Sequence, residues 1–201
     1  MGKRAFDFTI ALIGLLFLSP LFVLISFWVK IDSSGPVFFR QDRVGLGLVP
    51  FRIHKFRTMV VNAEDKGMQI TVGADSRITR SGSFLRRYKL DELPQLIDVV
   101  VGTMSLVGPR PEVPHYVSRY PPSDREKIFK VRPGITDWAS IRFKDENDIL
   151  GSACDPERTY VEEILPIKIR YAKEYVDSSS CLTDLHIILS TLREIARNST
   201  T

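Results

Sequence analysis

Cysteine is scarce in this chain. Its 201 residues hold two, Cys154 and Cys181, in unrelated contexts and without a CxxC spacing. That excludes a disulfide framework and points to free thiols in a reducing compartment. Histidine is almost as rare. His54, His115 and His186 are scattered and show no metal-ligand spacing, so a histidine-built metal centre is not expected. There is no internal repeat and no low-complexity tract. After about residue 35 no second long apolar run occurs, so the rest of the chain is expected to be a cytoplasmic body. Basic residues are not interleaved with aromatics in any known module, so nucleic acid is not expected as a partner.

What is present is enough for a packed core. Hydrophobic residues make up 44% and charged residues 26%, which argues against wholesale disorder. The length suits one domain with a small appendage. The net charge of +4 and a pI near 9.1 suit an anionic partner. That partner could be a phosphate-bearing substrate, a lipid surface or nucleic acid, and basicity alone does not choose.

The longest apolar run is FDFTIALIGLLFLSPLFVLISFWV, Phe6 to Val29, whose only ionisable residue is Asp7. As a helix of about 24 residues it would extend roughly 36 Å, enough for a hydrocarbon core. It is too long for a signal peptide, and no small-residue cleavage site follows. Trp28 stands at its far end, where an interfacial aromatic belongs. Two features argue against a plain span. Ser19-Pro20 falls at the middle, where proline removes a donor and kinks a helix. Ser19 could satisfy one of the freed carbonyls. Both flanks are basic, with Lys3 and Arg4 before and Lys30, Arg40 and Arg43 after. The positive-inside rule pulls both ends to the cytoplasm. A helix that enters, bends at Ser19-Pro20 and leaves by the same face satisfies both observations. The alternative is a simple kinked transmembrane helix.

The body reads as mainly helical α+β. PVFFRQDRVGLGLVPFRIHKFRTM is expected to form a β-hairpin, Val37 to Val44 and Phe51 to Thr58, about a turn at Gly45 and Gly47. A short helix is expected over Phe84 to Tyr88. A second is expected from the spacing of Leu90, Leu93, Leu96, Ile97, Val100 and Val101, ending at Gly102. SLVGPRPEVP reads as loop. Ser123 to Glu126 reads as a capping box opening a helix to about Lys130. Further helices follow, from near Pro156 to Val176 with an interruption at Pro166, and over Leu182 to Ile195. These helices are amphipathic and suit either core packing or the bilayer interface. The division expected is a membrane anchor over 1–33 and a catalytic domain over 34–201.

The stretch KLDELPQL sets Asp91 and Glu92 side by side in a basic chain. Asp91 could cap the following helix, with Glu92 favouring its N-terminus. The surroundings suggest more. Arg86, Arg87 and Lys89 crowd upstream, and Lys55, Arg57, Arg110 and Arg132 lie in other motif-like stretches. Carboxylates that hold a divalent metal and cations that hold phosphates would account for both. In GPRP, Gly108 to Pro111, prolines on both sides fix the backbone of Arg110. Its guanidinium can clasp phosphate oxygens in pairs. Lys55 and Arg57 of KFRTM share one strand face by period two. Arg132 sits in the RPG turn.

These stretches together resemble the small monotopic phosphoglycosyl transferases, the bacterial sugar transferases that load a polyprenyl phosphate. The resemblance runs through nearly the whole chain. It rests on the basic start and Ser-Pro apolar segment, GPVFFRQDRVG, FRIHKFRTM, LRRYKLDELPQL, GTMSLVGPRP, VRPGIT and the closing stretch at Ser178 to Thr191. It implies a re-entrant membrane helix broken at Ser19-Pro20 and a catalytic domain on the cytoplasmic face of the bacterial inner membrane. It implies a nucleotide diphosphate sugar, usually a UDP-sugar, as donor, bound with Mg2+, and polyprenyl phosphate as acceptor. Asp91 would attack the sugar-bearing phosphorus, releasing UMP and leaving an aspartyl phosphosugar for the acceptor to displace. Glu92 would serve the metal or handle a proton, and Asp91 would share the metal. Arg86 and Arg110 would touch phosphates, and so would Lys55, Arg57 and Arg132.

One stretch departs from the family pattern. After RPGIT, where many members continue with glycine and a small apolar run ending in Gln-Val, this chain has Asp137-Trp138-Ala139-Ser140-Ile141. If that region reads nucleotide or sugar, the donor differs from the usual N-acetylated sugars. The chain has the extent of a minimal catalytic unit, which suits a stand-alone enzyme, and a homodimer through the membrane helix or the body is compatible with it. A rival reading is a non-catalytic membrane scaffold for other glycosylation enzymes. Asp91→Asn separates the two, because it would spare a scaffold.

Overall fold

The apolar N-terminal run forms helix α1 (Gly2–Asp32) in a computed structural model that describes residues 2–63, 71–73 and 75–198. By length and composition α1 could cross a membrane, with a mean hydropathy of 2.6 over its most apolar window. The expected break at Ser19-Pro20 is not a gap in the helix, which continues through both residues. Pro20 lacks the amide that would donate to the carbonyl four residues back. That carbonyl belongs to Leu16, and Ser19 Oγ donates to it at 2.8 Å. A neighbouring hydroxyl thus replaces the missing donor, and the helix persists past its proline.

Most of α1 is bare. Leu16, Phe17, Val23, Leu24, Phe27 and Ile31 are each at least 67% exposed. Its two ends, however, are tied to the same body. Near the start, Lys3 Nζ meets Asp184 at 2.5 Å. Arg4 donates to Val99 O and Val100 O, and Asp7 accepts from Ser105 Oγ at 2.7 Å. At the far end, Asp32 accepts from Ser81 N and Oγ at 2.9 and 2.8 Å. Arg57 Nη2 donates to Val29 O and Ser33 O at 3.2 and 2.6 Å.

Strands β1 (Phe38–Val44) and β2 (Pro50–Phe56) form the expected antiparallel hairpin, with Phe38 opposite Phe56 and Val44 opposite Pro50. This register puts Phe39, Gln41 and Arg43 on the same sheet face as Phe51, Ile53 and Lys55. Helix α2 (Arg80–Arg87) starts before the expected Phe84 because Thr79 caps it, accepting from Gly82 N at 3.0 Å. A 3-10 turn over Leu90–Glu92 follows, and then α3 (Gln95–Val101). Gly102 closes α3 at φ +98°, as the sequence suggested.

The GPRP region is not all loop. Ser105–Val107 is a strand, β3. After α4 (Pro114–Val117) and α5 (Pro122–Ile128) comes β4 (Gly134–Thr136), which pairs with β3 in parallel. The pair is invisible to periodicity because each strand has three residues and β3 is buried throughout. The strand pair demands glycine at 134, where a Cβ would lie 2.0 Å from Gly108 N. Helix α5 opens at Pro122 with Pro121 in the cap position, so Ser123 to Glu126 is not a capping box.

The remaining elements are α6 (Trp138–Arg142), α7 (Glu146–Gly151) and α8 (Pro156–Thr159). A π-turn over Tyr160–Ile164 leads into α9 (Leu165–Ser178), whose first turn holds Pro166, and α10 (Cys181–Asn198) ends the described chain. One cluster of buried side chains, with Val113, Tyr116, Ile128, Tyr160, Leu165 and Ile169, lies around α4, α5 and α9. A second joins Ala11 to Ile53, Val99, Met104, Val107 and Ile187. A third joins Ile25 and Val29 to Phe56 and Leu85. The two halves of α1 thus dock in different clusters. Each fully buried aliphatic side chain contributes about 1.5–3 kcal/mol. Helix α10 buries Asp184 and Ile187 but leaves Leu182, Leu185, Leu189 and Leu192 exposed.

Candidate active site

Asp91 does not cap a helix. It lies inside the Leu90–Glu92 turn, which follows Lys89 in the left-handed region at φ +56°. Pro94 occupies the cap position of α3. The left-handed Lys89 and the stiff Pro94 bracket the two carboxylates and present them side by side.

Asp91 is 7% exposed, and its Oδ1 is buried without a hydrogen-bond partner. Burial and the neighbouring Glu92 push its carboxyl above the usual aspartate range, against the pull of Lys55, Arg86 and Lys89. Glu92 behaves in the opposite way. It accepts from Lys55 Nζ at 2.7 Å and from Arg110 Nη1 at 3.2 Å, with Arg110 Nη2 also bonded. Burial alone would raise its carboxyl, but Arg110 and Lys55 overcome that and hold it well below the ordinary range. Burial also lowers the Lys55 ammonium, whereas Glu92 raises the Arg110 guanidinium. Two adjacent carboxylates are thus driven apart, one toward its proton and one firmly ionised.

Arg86 lines the same cleft and contributes to the field on Asp91. Its Nε donates to Thr58 Oγ1 and its Nη1 to Thr71 Oγ1, both at 2.9 Å. The cleft holds about 1600 Å³ and is also lined by Arg43, Glu112, Ser140, Asn147, Tyr160 and Lys168. That is ample for a nucleotide-sized ligand.

Two expected phosphate ligands have other partners. Arg57 lines the cleft, yet it is 4% exposed, and its Nη2 donates to the carbonyls at the end of α1 while its Nε and Nη1 are buried without a partner. It lies beyond the end of β2, so strand periodicity does not carry it to Glu92 with Lys55. Arg132 Nε donates to Gly102 O at 2.8 Å and holds the end of α3. Asp137, from the divergent stretch, also has a local task. It caps α6 by accepting from Ser140 N at 2.7 Å and accepts from Arg110 N at 3.2 Å. The sequence reading placed Arg43 only in the basic flank of the apolar segment and gave no part in the site to Glu112 and Tyr160. Period two in β1 could have placed Arg43 on the sheet face of Lys55, but only with the hairpin register in hand.

The donors suit magnesium. Asp91 offers an unpartnered buried carboxylate oxygen with Glu92 adjacent. Magnesium accepts one or two carboxylates and completes its shell with water and substrate phosphates. Among the described residues no group of three or more His, Cys, Asp or Glu stands together.

The profile of the bacterial sugar transferase family matches residues 1–198. The chain belongs to that family. Among bacterial sugar transferases, a UDP-N-acetylgalactosamine-undecaprenyl-phosphate N-acetylgalactosaminephosphotransferase of Aeromonas hydrophila is 39% identical over 96% of this chain and 43% of its own length. A UDP-glucose:undecaprenyl-phosphate glucose-1-phosphate transferase of Escherichia coli is 38% identical over 94% of this chain and 39% of its own. A Bacillus subtilis protein named as an uncharacterized sugar transferase is 34% identical over 96% of this chain and 86% of its own. The chain therefore spans about two fifths of the first two relatives.

Proposed function

We propose that this bacterial sugar transferase moves a sugar 1-phosphate from a nucleotide diphosphate sugar, a UDP-sugar, to polyprenyl phosphate. The observation that carries the reading is Asp91: a buried carboxylate with a free oxygen, set in a cation-lined cleft next to an ionised glutamate. Asp91 attacks the sugar-bearing phosphorus. An oxygen–phosphorus bond forms, the phosphoanhydride bond breaks, and UMP leaves with the bridging oxygen. A phosphate oxygen of the acceptor then attacks the same phosphorus and the Asp91 carboxylate departs. A carboxylate serves as nucleophile at phosphorus in other enzymes, and the barrier is mostly one of position and charge.

Arg110 and Lys55 hold donor phosphate oxygens, and Arg86 holds another from the same cleft. Asp91 and Glu92 would hold magnesium, which supplies charge neutralisation to the leaving phosphate. Glu92 occupies both Lys55 and Arg110, so an incoming phosphate competes with it for them. Burial keeps water from the phosphorus once the cleft is filled.

Membrane attachment is monotopic in this reading, with α1 re-entrant and both flanks cytoplasmic. The support is the pair of anchor points: Lys3 and Arg57 tie opposite ends of one apolar helix to one body. The exposed leucines of α10 add an apolar surface near Lys3, through Asp184.

The test is a screen for UMP release from a panel of nucleotide sugars, with polyprenyl phosphate and magnesium. Activity that needs Asp91 and names one donor is expected. Turnover by Asp91→Asn at the native rate would refute the assignment.

A further inference from the structure

The sequence holds a motif that the proposed chemistry leaves unused: RQDRVG, Arg40 to Gly45, on β1. Its Arg43 lies under the GPRPE loop. We propose that Arg43 is a positioning residue for Arg110, acting through Pro111 and Glu112, with Tyr160 as its counter-anchor. The inference rests on the reading that Arg110 holds a phosphate.

A guanidinium can be aimed only as well as its own peptide is held. On the upstream side the loop is fixed by strand pairing. Gly108 N donates to Thr136 O at 3.2 Å and Gly134 N to Pro109 O at 3.0 Å. Asp137 takes the amide of Arg110 itself. On the downstream side the hold comes from β1, through the Arg43 side chain and one backbone amide. Arg43 Nη1 donates to Pro111 O at 3.0 Å and reaches Glu112 Oε1 at 3.5 Å. Val44 N donates to Glu112 O at 3.0 Å. Arg43 Nη2 is braced by Gln41 Oε1 at 2.6 Å, from the same sheet face.

Glu112 is gripped from the other side as well. Tyr160 OH donates to its Oε2 and Val113 N to its Oε1. Tyr160 opens the π-turn that precedes α9, an irregularity that recurs at functional sites. Lys168 Nζ lies 3.4 Å from the Tyr160 hydroxyl and pairs with Glu146 at 2.5 Å.

The cost of this arrangement argues for a purpose. Burial, with Arg110 adding like charge, pulls the Arg43 guanidinium below its ordinary range. Its Nε is buried without a partner. A buried ion pair of this kind is weak as a source of stability, since apolar packing often replaces it at no loss. A rigid planar fork, by contrast, reaches a strand neighbour, a backbone carbonyl and a carboxylate together, which a lysine cannot do. Arg43 also lines the cleft, but both of its terminal nitrogens are bonded to the loop and to Gln41, which assigns it to holding Arg110.

The experiment is a double-mutant cycle on the full chain in detergent, read by calorimetric binding of UMP with magnesium. Arg43→Lys is expected to weaken UMP binding about 10-fold, and to cost less than about 2-fold when Arg110 is already Gln. Tyr160→Phe keeps the ring and should follow the same pattern, which covers the case where Arg43→Lys does not fold. Equal losses in both backgrounds would overturn the proposal, as would undiminished UMP binding by both variants. A lowered melting temperature with unchanged UMP affinity would also overturn it. Wild-type chain that binds UMP but turns over no nucleotide sugar would sink the proposed reaction while the cycle still decides the brace.

Discussion

Glu92→Gln should make the protein unfold more easily and make it hungrier for phosphate. Glu92 accepts from Lys55 at 2.7 Å and from both terminal nitrogens of Arg110. Side-chain exposure is 14% for Glu92, 18% for Lys55 and 35% for Arg110. Removing one member of a buried ion cluster costs about 3–5 kcal/mol. Water reaches Arg110, which places the loss at the lower end, about 3 kcal/mol. For a chain of this size that lowers Tm by roughly 6–12 °C. The assay is thermal unfolding of the full chain in detergent, with and without inorganic phosphate. Phosphate should recover part of the loss in the variant and raise the wild type less, because Glu92 already occupies the cations there. The pH dependence has a definite sign. Glu92 is held well below its ordinary 4.5, so its contribution is present above that value and lost as pH falls through the folded value. Wild type and variant should therefore converge in acid. Equal melting at pH 7 together with equal phosphate responses would refute the reasoning.

Asp91→Asn should abolish UMP release without lowering Tm, since its carboxylate is buried and raised; a large fall in Tm would contradict this. For the wild type, kcat/KM should drop as pH falls through a value above the ordinary 3.8, because Asp91 must be ionised to attack. Arg57→Met removes donors from the end of α1 and should cost about 1–3 kcal/mol of stability, with the donor KM unchanged. A tenfold rise in KM would return Arg57 to the phosphate site. For topology, Cys154 and Cys181 are exposed and should first become serine. Single cysteines at 2 and 33 should then label from the same side of the membrane, and labelling from opposite sides would refute the re-entrant α1.

The legible parts of this fold were those set by local chemistry. The apolar run, the Gly-turn hairpin and the glycine end of α3 all follow from adjacent residues. The β3–β4 pair does not, because its two short strands lie about 30 residues apart in sequence and pair only through the close approach of Gly108 and Gly134. The site divides in the same way. Asp91, Glu92, Arg110, Lys55 and Arg86 converge on one cleft, as their motifs suggested. Arg57 lines that cleft as well, but carbonyls at the end of α1 take its Nη2, and Gly102 O takes Arg132. The role proposed for Arg43 was hidden because it depends on which loop packs against β1.

The fastening of α1 at both ends has a mechanical consequence. A helix held at Lys3, Arg4 and Asp7 and again at Asp32 cannot slide or tilt without dragging the body with it. The depth of the helix in lipid and the height of Asp91 above it then become one quantity. In the proposed reaction the acceptor phosphate moves within a thin layer, so its search is two-dimensional and its elevation is fixed by its chain. Bilayer thickness acts as a gauge on the chemistry: a membrane that lifts α1 also lifts the nucleophile out of reach.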